Sequence, residues 1–239
     1  MISIAVSRAL LVIPLMVQAR QIPRDVSFII NGDAFPRSLK NGFASRKGPF
    51  MKDIVNLLFE ARMLKHTPRT GYRFLGVGRE SVAEHSFLTA FIGMIMARMT
   101  PEVDALRLIS MCLIHDLAEA RTGDLNYVQK KYVSADATRA LEDALSDVWF
   151  GKQLAELIQE FDADASLEAS LARDADQLAL ILELKCLTDS GFEPPNQWIQ
   201  NAAGRIQTTT GKNLFENIRH ADSADWWRKN YIDNPPKNK

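Results

Sequence analysis

An all-α domain is predicted from Met51 onward, and three observations predict it. Apolar residues recur there at helical spacing, alternating Val/Ile/Thr strands are missing, and several runs open on recognisable helix caps. At 239 residues the chain is long enough to bury a substantial core. Its 46% apolar and 24% charged content is that of an ordinary globular protein.

Residues 1–50 are punctuated by Pro, Gly and Arg without a sustained period, which predicts a poorly ordered N-terminal extension. Met51 begins directly on a helical pattern and is a candidate true initiator. Arg46-Lys-Gly48, just upstream, can be encoded by purine-rich codons like those of a bacterial ribosome-binding site. The apolar stretch Ala9 to Val17 contains Pro14 and falls far short of the ~20 residues a membrane span needs. Val17-Gln18-Ala19 has the look of a signal-cleavage site, but Arg8 alone makes a poor charged leader.

The main domain is expected over 51–233, with a polar tail at 234–239. Asp53 to Leu64 places apolar residues at 54, 57, 58, 61 and 64, a single helical stripe. Ser81 to Arg98 follows, with Val82, Phe87, Phe91, Ile95 and Met99 near one face. Ser81-x-x-Glu84 forms a capping box that sets its start. A third helix is expected from Pro101 to Ala120, capped by Thr100. Its segment Leu106 to Leu117 is apolar nearly all round, which predicts a central helix packed on every side. Further helices are expected over 134–149, 151–162, 165–188 and 195–219, giving a bundle of about six.

Basic and acidic residues balance at 29 each, so no global field draws the chain to a nucleic-acid polymer or a membrane. An anionic substrate would have to be held by local arginines. Cys112 and Cys186 sit in apolar helical runs and read as buried thiols of a reducing, cytoplasmic compartment.

Chemistry concentrates in a few residues. His85 lies on one apolar helix and His115-Asp116 on another, and these are two of the chain's four histidines. Imidazole and carboxylate together suit Mn, Fe, Co, Ni or Zn better than Ca or Mg. Neighbouring helix positions point about 100° apart, so His115 and Asp116 can share an ion only off a helix end or in a notch. Glu119 falls on the same side one turn on, within reach of a water beside the ion. Asp124 follows in the next turn. A fourth ligand is sought on an otherwise apolar helix, and Asp176 is the better choice there, Asp174 being free to face Arg173 or solvent.

The pattern His85…His115-Asp116…Asp176 resembles the metal signature of the HD-domain phosphohydrolases. Glu-Ser-Val-Ala-Glu-His85-Ser together with His115-Asp-Leu-Ala-Glu119-x4-Asp124 is similar to their 5′-deoxynucleotidase subgroup, over about residues 51–220. The resemblance implies an HD bundle around one divalent transition metal (Co, Mn, Fe, Ni or Zn) held by His85, His115, Asp116 and Asp176. It implies hydrolysis of deoxyribonucleoside 5′-monophosphates, a small-molecule nucleotide substrate and a homodimer. Glu119 would orient or deprotonate the attacking water, Asp124 would assist the chemistry or contact the sugar, and Arg69 would grip the phosphate.

The sequence departs from that subgroup at two places. No tryptophan follows Arg69, the nearest aromatic being Tyr72, and the loop Gly76 to Glu80 is short. Both changes bear on how the nucleoside is held, and Tyr72 is expected, with Arg69, to contact the substrate. Two other functions remain in view. One is hydrolysis of another nucleotide such as a guanosine polyphosphate, which would want more basic residues at the mouth. The other is a non-catalytic nucleotide-binding protein, which would not need Glu119 and Asp124. Lys130-Lys131-Tyr132 is a second-rank phosphate contact, and Trp226-Trp227 reads as a packing clamp or dimer contact.

Overall fold

The computed structural model describes residues 49–193 and 195–232, and the expectations for residues 1–48 and the tail 234–239 concern segments outside them. The described residues are all-α, as predicted. In chain order the helices are α1 (Pro49–Met63), α2 (Tyr72–Leu75), α3 (Val82–Met99), α4 (Ala105–Ile114), α5 (Glu119–Thr122), α6 (Ala137–Leu145), α7 (Gly151–Ala163), α8 (Leu167–Asp189), α9 (Pro195–Ala203), α10 (Thr209–His220) and α11 (Asp225–Tyr231). None of them is long and apolar enough to cross a membrane. The first begins two residues before Met51.

The long helix α8 is the axis of the core. Its Leu171, Ala172, Ala175, Leu178 and Ala179 are fully buried against Ile92 and Met96 of α3 and Leu108, Met111 and Cys112 of α4. A second cluster, Leu64, Val82, Leu117, Leu141, Leu145 and Ile158, closes the opposite side of the α3 N-terminus. The metal-competent side chains lie where these two apolar masses meet.

The capping box at Ser81 forms as predicted. The Ser81 hydroxyl accepts from the Glu84 amide and the Glu84 carboxylate accepts from the Ser81 amide. Which face of α3 is buried differs from the expectation. Val82 is buried, but Phe87, Phe91, Ile95 and Met99 are exposed, and His85, Ser86, Thr89, Ile92, Gly93 and Met96 face the core. The helix is apolar on two sides, and closeness of approach selects between them. At Gly93 a Cβ would come within 2.6 Å of the Cys112 sulfur, so α3 and α4 meet at a contact with no room for phenylalanines. Leu58 of α1 is likewise exposed, against its place in the predicted stripe.

The helix expected over 101–120 is shorter and broken. It starts at Ala105, with Asp104 as the cap accepting from the Arg107 amide, because residues 101–104 form a turn and the Thr100 hydroxyl pairs with that of Thr210. It stops at Ile114, so His115 to Ala118 form a turn before α5. Leu106 and Leu113 are exposed, so this helix is not packed all round. The expected helix 195–219 is also two, α9 and α10, divided at 204–208. Asp174 explains the division. Fully buried, its carboxylate accepts from the Gln207 and Thr208 amides and the Thr208 hydroxyl, satisfying free donors at the head of α10. It therefore faces neither Arg173 nor solvent. Cys112 is buried as expected, whereas Cys186 is exposed. Trp226 is also exposed, which does not suit a core clamp.

The α3–α4 contact gives a stability test. Gly93→Ala should cost about 1–3 kcal/mol by overpacking against Cys112, read as a lower midpoint in chemical denaturation.

Candidate metal centre

His85 lies one turn into α3 and His115 at the end of α4, with their ring centroids 5.6 Å apart. One ligand atom each from His85, His115 and Asp116 can be chosen so that all lie within 4.8 Å of one another. From α8, Asp176 brings Oδ1 to 2.9 Å from His85 Nε2 and 4.0 Å from His115 Nε2. The four side chains singled out from the sequence therefore converge. Termination of α4 at Ile114 makes this possible, since the turn lets His115 and its neighbour Asp116 face one point.

The donor set fits a divalent transition metal. His115 Nδ1 lies 2.9 Å from the Cys112 carbonyl oxygen, to which it donates, leaving Nε2 as the free ring nitrogen. That Nε2 is buried without a hydrogen-bond partner among the described residues, and it faces two carboxylates. A ring nitrogen and two anionic oxygens converging in a buried place call for a cation, either a proton on Nε2 or a metal in its stead. Burial works against an imidazolium at His115, but Asp116, 3.2 Å away, outweighs it and lifts the pKa to about 9. At Asp176 burial is likewise outweighed, by the hydrogen bond and charge of His85, and the pKa falls below the usual carboxylate range.

Glu119, at the first position of α5, sits beside this cluster. Burial, then the charges of Asp116 and Asp124, push its pKa up to about 8, and its Oε2 is a buried oxygen with no hydrogen-bond partner among the described residues. Burial and these like charges favour the protonated carboxyl, and a cation held at Asp116 would offset them, leaving Glu119 able to accept a proton from a water beside the ion. Arg69 extends into the same place. Its Nη1 lies 3.4 Å from Asp116 Oδ2, and its guanidinium feels Asp116, Asp176, Asp124 and Glu119 together. Asp124 is tied to the residue after Arg69, its Oδ2 accepting from the Thr70 amide at 2.6 Å. The Thr70 hydroxyl donates to the Asp124 carbonyl at 2.9 Å. Where the resembled subgroup carries a tryptophan, this chain has a clasp between the arginine loop and the turn after α5.

Glu80 was not singled out from the sequence. Two strand-like segments pair here: Arg69 N donates to Glu80 O at 2.8 Å and Val82 N to Thr67 O at 2.9 Å. The short loop between them turns through Gly76 and Gly78, both at positive φ, and a Cβ on Gly78 would strike the Tyr72 ring at 2.9 Å. The turn buries the Glu80 carboxylate, with Oε2 3.3 Å from the Tyr72 hydroxyl that donates to it, 3.9 Å from Arg69 Nε and 4.0 Å from His85 Nδ1. Burial pushes its pKa up to about 7. Glu80 thus links a prospective metal ligand to the arginine. Glu80 opens the Glu-Ser-Val-Ala-Glu-His85 motif, but beside a capping box the sequence assigns an acid there no role of its own. Tyr72, expected to meet the substrate, spends its hydroxyl on Glu80 while its ring lines the adjoining cavity.

Comparison with known proteins agrees with this geometry. Residues 61–219 match the HD domain family. Among curated proteins, the chain is 27% identical over 180 residues to the human 5′-deoxynucleotidase HDDC2, covering 71% of this chain and 82% of that one. It is 31% identical over 133 residues to the Dictyostelium discoideum 5′-deoxynucleotidase HDDC2, covering 50% and 70%. Among solved structures, it is similar to a conserved hypothetical protein from Pyrococcus furiosus. There the TM-score is 0.63 at 28% identity, covering 70% of this chain and 99% of that one.

A hydrogen-bonded partner on the distal nitrogen of a ligating histidine is typically worth about 10–100-fold in metal affinity. Glu80, however, faces His85 Nδ1 only at ion-pair distance, 4.0 Å, and that nitrogen has no hydrogen-bond partner among the described residues. Glu80→Ala is therefore expected to weaken Co²⁺ binding by about tenfold at most in equilibrium dialysis. Glu80→Gln, which keeps an acceptor oxygen, should recover most of it. Unchanged affinity in Glu80→Ala would remove this role.

Proposed function

This chain belongs to the HD domain family and is a hydrolase of phosphate esters, and within that class we propose that it converts deoxyribonucleoside 5′-monophosphates to deoxynucleosides and phosphate. One observation carries the proposal. Two histidines and two aspartates converge with an arginine on one side and a glutamate carrying a buried, unpartnered oxygen on the other.

In this reading His85, His115, Asp116 and Asp176 hold one divalent transition metal. When bound, such a metal polarises a phosphoryl oxygen and makes water a better nucleophile at neutral pH. Arg69 offers a planar fork to the remaining phosphate oxygens, aimed by Glu80 at its Nε and by the Thr70–Asp124 clasp at its backbone. Glu119 takes the proton from the attacking water. Asp124 keeps the arginine loop closed over the phosphate and presents its carboxylate toward the sugar. Little covalent work is required of the protein, because positioning and charge stabilisation dominate phosphoryl transfer.

The substrate is a free nucleotide, not a polymer, since the centre is a pocket in a chain with no net charge. The free thiols Cys112 and Cys186 favour a cytoplasmic setting. A homodimer belongs to the same proposal, supported by the exposed stripe of Phe87, Phe91, Ile95 and Met99, whose two phenylalanines stack at 6.4 Å.

Metal-stripped protein supplied with Co²⁺ or Mn²⁺ should release phosphate from deoxyribonucleoside monophosphates in a nucleotide panel. Asp116→Ala should lower kcat/KM by about 10³, the equivalent of several kcal/mol. Release from no nucleotide, or full activity in Asp116→Ala, would sink the reading. For the assembly, sedimentation should give a dimer for the wild type and a monomer for Phe91→Glu; a monomeric wild type rules the dimer out.

A further inference from the structure

Two cavities adjoin the site, one lined by His115 and Asp116 and the other reaching it only through Arg69 and Asp124, and they differ in kind. The first, about 500 Å³, is lined by His115, Asp116 and Glu119, continues past Val133 and Leu141, and has no Phe, Tyr or Trp in its wall. The second, about 740 Å³, lacks Glu119 and begins at Arg69 and Asp124. Its walls are Tyr127 and Trp198, with Gln197 and Asn201 on α9 and Arg205 just beyond its end.

Phosphoryl transfer places the attacking and leaving oxygens roughly in line on opposite sides of phosphorus. With Glu119 as the base, water enters from its side, so the leaving group departs across the phosphate, away from Glu119. The cavity that shares Arg69 and lacks Glu119 meets that requirement.

Resting on the phosphomonoesterase reading above, we propose that the 740 Å³ cavity receives the leaving nucleoside and that Trp198 and Tyr127 are the side chains that recognise its base. The two rings meet edge to face, with centroids 6.3 Å apart. Trp198 packs on the arginine loop itself, since a Cβ on Gly71 would lie 3.4 Å from its six-membered ring. Tyr127 is backed by Phe74 at 5.3 Å, yet is 60% exposed and free to offer a ring face at the mouth. The side-chain amides of Gln197 and Asn201, one turn apart on α9, have no hydrogen-bond partner among the described residues, so both are free to read base edges. Aromatic faces stack on any base, and amides can both donate and accept, so the pocket suits a nucleobase without strict choice among bases.

The test compares two substrates that share the scissile ester and the sugar: a deoxyribonucleoside 5′-monophosphate and 2-deoxyribose 5-phosphate, which lacks the base. The quantity read is the ratio of their kcat/KM values. In the wild type it should favour the nucleotide by about tenfold or more. Trp198→Ala should cut the ratio by about tenfold, mainly through the nucleotide's KM, and Tyr127→Ala by several-fold. Tyr127→Ala alters an exposed position, so it keeps the test valid if Trp198→Ala fails to fold. An unchanged ratio in folded variants, or a wild-type ratio near one, overturns the assignment while leaving the phosphatase intact. Release of phosphate from neither substrate by the wild type overturns the phosphomonoesterase reading, and the assignment with it.

Discussion

Three carboxylates, from Asp116, Asp176 and Glu119, are held against two imidazoles at the meeting point of three helices, and the local structure is arranged around that crowding. Like charges so close cannot all stay ionised without compensation. Glu119 yields, its pKa rising to about 8 under burial and the charges of Asp116 and Asp124, while His115 keeps a proton to about 9 beside Asp116. Arg69 supplies the fixed positive charge, 3.4 Å from Asp116. A divalent cation would settle the same imbalance and free the arginine for a substrate anion. The resting pairs are thus the ones that metal and phosphate would take over.

That crowding is bearable because the backbone around it is specified from outside. The close approach of α3 and α4 at Gly93 and Cys112 sets the spacing between the helices that carry His85 and His115. Asp176 is presented by α8, whose preceding turn is pinned through Asp174 to the head of α10. Two aspartates two residues apart on one helix therefore do opposite work. One satisfies backbone amides and is spent structurally, and the other faces the imidazoles.

His85, His115-Asp116 and Asp176 were legible in the sequence because each is a polar interruption in an apolar run, and burying such a group needs a partner. The capping box at Ser81 was legible because its signal spans only four residues. The buried face of α3 was not. Phe87 and Phe91 satisfy helical periodicity as well as Thr89 and Gly93 do, and only the partner helix, with Cys112 at 2.6 Å from a would-be Cβ, decides between them. Asp174 and Glu80 stayed hidden for a related reason. Their partners, Thr208 and Arg69, lie 34 and 11 residues away, and nothing local announces the pairing.

Glu80 matters beyond its own contacts because of what it joins. Its carboxylate faces His85 Nδ1, Arg69 Nε and the Tyr72 hydroxyl, while the strand-like pairing of residues 67–69 with 80–82 holds all three in register. The loop that carries Arg69 and the helix that carries His85 are thereby one mechanical unit. The Thr70–Asp124 clasp closes the other end of that loop onto the turn after α5, which carries Glu119. A tryptophan following Arg69 could pack over a sugar from that position. A threonine instead spends its hydroxyl and amide on the clasp, and the aromatic ring that packs on the loop is Trp198 of α9, against Gly71. An aromatic ring thus reaches the arginine loop from α9, against Gly71, two residues after Arg69, and not from the residue that follows the arginine.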